Sequence, residues 1–117
     1  MSVRSLLAVT LFCTFVLPVQ SARSQRPTGN ELLDWCHENQ STYKDGLCLG
    51  FIEGLAEVAA ELKLMCAPAD HVTRQQIRDV VVHSLESDPA ERQIAAKSLV
   101  LKALQAAFPC PPGATSR

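Results

Sequence analysis

The chain has 117 residues, enough for one small domain. Its 11 basic and 12 acidic residues give a formal net charge of -1. That balance excludes the basic excess of a nucleic-acid binder and gives no electrostatic reason for an anionic membrane partner.

The first residues have the organisation of a signal peptide. Met1 to Arg4 is a short positive stretch, and Ser5 to Leu17 is apolar and of the length expected of such a segment. Pro18 ends the run, and Val19-Gln20-Ser21 offers small residues where a signal peptidase reads. Cleavage is expected after Ser21, with Ser24 as the alternative. A spanning helix needs about 20 apolar residues, more than this run supplies. Cys13 lies inside the apolar run behind Phe12, unlike a lipid-attachment cysteine. Export without residues 1–21 leaves four cysteines, Cys36, Cys48, Cys66 and Cys110. An even number in a small exported chain points to disulfides.

No alternating strand pattern follows, and four helical segments are expected. Thr28-Gly29-Asn30-Glu31 forms a capping box that opens a first helix over about 29–39, with Leu32, Leu33 and Cys36 on one face. A second helix is expected over about 43–65. Leu47, Phe51, Leu55, Val58, Leu62 and Met65 form its apolar stripe, widened by Cys48, Ile52 and Ala59. Gly50 and Gly54 make a G-x-x-x-G within it and predict a close helix contact inside the monomer, with contact across a dimer as the alternative. Thr73 and Gln76 form a second capping box, with Val72 and Ile77 at the positions of a hydrophobic staple. Ile77, Val80, Val81 and Leu85 then face the core. Asp88-Pro89-Ala90-Glu91 is the strongest start signal in the chain and predicts a fourth helix from there. Ile94, Ser98, Leu101, Leu104 and Phe108 form its stripe, and Pro109, Pro111 and Pro112 stop it. The expected fold class is all-α: a small four-helix disulfide-stabilised domain over 28–110 with a flexible tail over 111–117.

Helix geometry restricts the bridges. Cys48 and Cys66 near opposite ends of a continuous second helix lie about 27 Å apart, whereas a disulfide needs Cα atoms within about 7 Å. A short connection around Gln40 to Thr42 brings Cys36 beside Cys48 and leaves Cys66 for Cys110. Loop-closure entropy gives such bridges about 3 and 4 kcal/mol.

No metal-protease, acyl-hydrolase, P-loop or dinucleotide motif occurs, so no enzyme, metal or cofactor is expected. A zinc site of Cys36, Cys48, His71 and Cys66 is the competing use of the cysteines; their spacing is irregular. Two surface features suit a protein partner. Glu53, Glu57 and Glu61 recur every four residues, where like charges repel. The connection Ala67 to Thr73, with Asp70, His71 and Arg74, is pinned by Cys66 and presented to solvent. A plain solvated face and a plain linker are the alternatives.

Gly29-Asn30-Glu31-Leu32-Leu33 leading to Cys36 resembles the start of the Rap/Tai-type immunity proteins of bacterial type VI secretion systems. Cys48-Leu49-Gly50-Phe51-Ile52-Glu53-Gly54 is similar to that family's C-x-G-aromatic-aliphatic-x-G signature. Cys66-Ala67-Pro68, then Leu85, Glu86 and Pro89, then Phe108-Pro109-Cys110 resemble its later landmarks. The resemblance implies a small helical periplasmic protein, often a homodimer, that blocks the substrate groove of a peptidoglycan amidase toxin. The matched residues carry the fold and transfer no inhibitory residue. A small acid-stress or holdase chaperone is the second reading, and a carrier of an apolar small molecule the third.

Overall fold

The computed structural model describes residues 25–38, 42–68 and 71–113; the expected signal segment and residues 114–117 of the expected tail lie outside it. Four helices make up the fold: α1 (Gly29–His37), α2 (Tyr43–Glu61), α3 (Arg74–Ser87) and α4 (Ala96–Ala107). Each packs against the other three. Leu32, Ile52, Val81, Val100 and Leu104, drawn from all four, are fully buried at the centre. A nine-residue helix such as α1 is too short to hold itself in water, so tertiary packing sustains it.

Both capping boxes form. The Glu31 amide donates to the Thr28 hydroxyl, and the Glu31 carboxylate accepts from the Thr28 amide at 2.8 Å. Thr73 and Gln76 repeat the arrangement at α3. Both bridges form as expected, Cys36–Cys48 and Cys66–Cys110, with Cα separations of 5.1 and 4.7 Å. Three sulfurs of the zinc alternative are thereby consumed.

α2 ends at Glu61, four residues before the expected Met65. Lys63 enters the left-handed region (φ 56°). The Lys63 amide bonds the Ala60 carbonyl and the Leu64 amide the Ala59 carbonyl, the pair that closes a Schellman turn. This reversal drops Met65 into the core and lets the Cys66 amide donate to Phe108 O at 2.9 Å, beside Cys110.

The buried face of α2 also differs from the expected stripe. Asp45, Cys48, Ile52, Ala56 and Ala59 point inward, while Val58 and Leu62 are about half exposed. Apolar residues lie on two adjoining faces of this helix, so periodicity does not choose between them. The Cys36–Cys48 bridge turns the Cys48 side inward. Gly50 and Gly54 consequently face solvent, with nothing within 4 Å of a Cβ built on either. The close intramolecular contact expected of this G-x-x-x-G does not exist.

α4 starts at Ala96 rather than at Pro89. The segment from Asp88 to Ile94 forms tight turns, with Glu91 N donating to Asp88 O and Ile94 N to Glu91 O. The carbonyls that a longer helix would use are taken by the N-terminal strand-like segment. Gly29 N donates to Ile94 O, Asn30 N to Arg92 O, and Ala96 N to Pro27 O. The inward residues of α4 are therefore Ala96, Leu99, Val100, Ala103 and Leu104; Ile94 and Ser98, expected in the stripe, are exposed. Gly29 lies at the closest approach: a Cβ there would meet Leu99 Cδ1 at 2.4 Å and the Arg92 carbonyl at 2.9 Å.

A buried ion pair, which pattern reading did not single out, joins three helices. Arg78 of α3 donates from Nη2 to the Cys36 carbonyl at the end of α1. The same nitrogen lies 3.3 Å from Asp45 in the first turn of α2. The cation thus meets the negative end of one helix dipole and an acid seated at the positive end of another.

Three predictions follow from these contacts. Gly29→Ala lowers stability by about 1–3 kcal/mol because the added methyl meets backbone, whereas Gly50→Ala and Gly54→Ala raise it by up to about 1 kcal/mol each; urea unfolding of the three variants checks the opposite signs. Arg78→Ala leaves Asp45 buried without its cation and costs about 3–5 kcal/mol in the same assay. Glu31 has its pKa lowered from 4.5 by the hydrogen bonds from the Thr28 backbone and side chain. Its contribution is therefore present above that ordinary value and lost as pH falls through the lowered one. The stability gap between wild type and Glu31→Ala shrinks between pH 7 and pH 3.

Candidate functional site

A groove of about 220 Å³ opens between the second half of α2, the connection that follows it and the start of α3. Its rim carries Glu53 and Glu57 of α2 and Arg74 at the start of α3. Its floor is apolar: Ala56, Met65 and Ile77, with Ala67, Pro68 and Val72 closing the end under the α2–α3 connection. The hydrophobic staple supplies two of these residues, Val72 and Ile77, so the turn that starts α3 also shapes the groove. The Schellman turn supplies a third by folding Met65 inward.

The frame around the groove is covalent and electrostatic. Cys66, next to Met65, is bonded to Cys110 at the end of α4. One turn into α3, Arg78 fixes that helix against α1 and α2. Arg74 Nε approaches Glu53 Oε1 to 3.5 Å across the mouth. The Glu53 side chain is 24% exposed and that of Arg74 81%.

The residues expected to meet a partner divide accordingly. Glu53, Glu57 and Arg74 come together at this groove. Glu61, on the same helix, is exposed and outside the groove lining. His71 is exposed on the connection, with its amide bonded to Pro68 O, and Asp70 lies outside the described residues. Sequence reading missed Met65 as the floor, because it extended α2 through that residue. It also missed Arg78 and Asp45, although each sits in register with buried positions: Arg78 three residues before Val81, Asp45 three before Cys48. A charge in register with an apolar row was the available signal.

A second, wider groove of about 500 Å³ lies between α3 and α4. Leu85, Leu99, Ala103 and Ala107 line it, with His83 and Asp88 on the α3 side, and the Lys102–Glu91 ion pair lies at one end. The same groove carries Ser84 and Ser87, and the Ser87 hydroxyl donates to the His83 backbone carbonyl at 2.7 Å. Among the described residues no group of three or more His, Cys, Asp or Glu is placed to hold a metal ion, and no helix is long and apolar enough to cross a membrane. Both grooves combine charged side chains with apolar ones: Glu53, Glu57 and Arg74 over Ala56, Met65 and Ile77 in the first, and Asp88, Glu91 and Lys102 beside Leu85 and Leu99 in the second.

A family model described as Rap1a immunity proteins matches residues 28–110, the whole of the four-helix domain. No curated protein and no solved structure matches the chain.

Proposed function

The chain belongs to the Rap1a immunity proteins, and from that membership we propose that it binds a peptidoglycan amidase effector in the periplasm and inhibits it by occupying its substrate groove. The match over residues 28–110 carries the immunity reading. The α2–α3 groove supports its location on the surface, because it combines acidic side chains, an apolar floor and a disulfide-pinned frame. Inhibition of this kind needs no catalytic group on the inhibitor. It needs a surface already in shape, since ordering loops on binding subtracts from affinity. The two bridges and the Arg78 ion pair meet that need. The signal-peptide-like segment and the oxidised cysteines suit the same compartment in which a cell-wall amidase acts.

Titration of an amidase effector from the same species with the oxidised protein, read by release of peptidoglycan fragments, tests this directly. The expected result is inhibition that saturates at a fixed stoichiometry and neutral pH. Charge reversal at the groove rim, Glu53→Lys with Glu57→Lys, weakens it at least about tenfold while the thermal midpoint stays close to wild type. Capture of a broad set of unfolded proteins only near pH 3, with no amidase inhibited, contradicts the proposal and favours a holdase.

A further inference from the structure

We propose that Arg74 is an exchangeable counter-ion: a basic side chain of the bound partner displaces it from Glu53, and the α2–α3 groove receives an arginine or lysine flanked by an apolar residue. This rests on the reading of the chain as a protein-binding inhibitor and names the chemistry its partner presents.

The pair is asymmetric. Glu53 is three-quarters buried in the groove wall, whereas Arg74 reaches it from solvent, 81% exposed. Their approach of 3.5 Å is at the outer limit of hydrogen bonding and far from the short paired contacts of a tight guanidinium–carboxylate fork. Exposed pairs of this kind hold weakly. Arg74 is also the first residue of α3, where the positive end of the helix dipole opposes a cation. Its own helix therefore gives it no reason to stay. An incoming cation meets two carboxylates, because Glu57 stands one turn beyond Glu53 on the same rim. The cation at the mouth would be followed by an apolar neighbour on the floor of Ala56, Met65 and Ile77. A volume of about 220 Å³ falls below the range of small-molecule pockets and suits one or two side chains of a protein.

The test uses a capped Leu-Arg-Leu peptide as probe, titrated into the oxidised protein and followed by amide chemical shifts. The exchange predicts saturable shifts around Glu53, Met65 and Ile77, and no such shifts from a Leu-Gln-Leu control. Arg74→Ala tightens binding about two- to five-fold by removing the competitor. Glu53→Gln weakens it about tenfold. In the Glu53→Gln background Arg74→Ala tightens binding less than it does in wild type, since the carboxylate that Arg74 pairs with is gone. Weakening by Arg74→Ala, an unchanged affinity in both backgrounds, or shifts confined to other surfaces overturns the proposal. These readouts involve no amidase, so they separate failure of the exchange from failure of the inhibitor reading.

Discussion

The fold turns on one buried cation. Arg78 occupies the junction where α1 ends and α2 begins, donating to the Cys36 carbonyl and facing Asp45. The Cys36–Cys48 bridge ties the same two helices beside it. The bridge alone would hold α1 and α2 together and leave α3 to its packing and to two more exposed contacts, His37–Glu86 and Arg74–Glu53. The guanidinium adds direction, because it hydrogen-bonds a helix-terminal carbonyl while its charge faces an acid 3.3 Å away. Removing charges from water is expensive, so such a pair is weak evidence of added stability against an apolar core. Its effect here is positional: α3 is held against the start of α2, and the groove between them opens further along.

Seen from that junction, the two bridges have different tasks. Cys36 and Cys48 are buried and sit within the core. Cys66 and Cys110 are partly exposed and join the end of α2 to the end of α4. The second bridge closes the larger loop, of 44 residues, and so removes more freedom from the unfolded chain. It also anchors the residue next to the groove floor. The α2–α3 groove thus lies on the side where covalent and ionic restraints meet, and Gly50 and Gly54 lie exposed on α2.

Much of this was legible in the sequence because the signals are local. Capping boxes are read over four residues, and both formed. The disulfide pairing followed from helix direction, and it survived even though α2 proved shorter than expected, because its premise needed only a long helix. The errors came where local signals competed with distant ones. Asp88-Pro89-Ala90-Glu91 is a good helix start, yet residues 27–30, sixty positions earlier, claim the Arg92 and Ile94 carbonyls. The face of α2 was ambiguous because apolar residues occupy both Cys48–Ile52 and Phe51–Leu55. Only the tertiary partner decides which of the two is buried. At the groove, Glu53, Glu57 and Arg74 were visible as charges, but their meeting depends on the crossing of α2 and α3.

Site-specific photocrosslinking tests the central claim most directly: that the α2–α3 groove is the face a protein effector covers. A benzoylphenylalanine at Ala60, on the rim of this groove, should crosslink to the effector. The same probe at Ala106, in the groove between α3 and α4, should not. Crosslinking from Ala106 with Ala60 silent would contradict the account and move the binding face to the opposite side of α3.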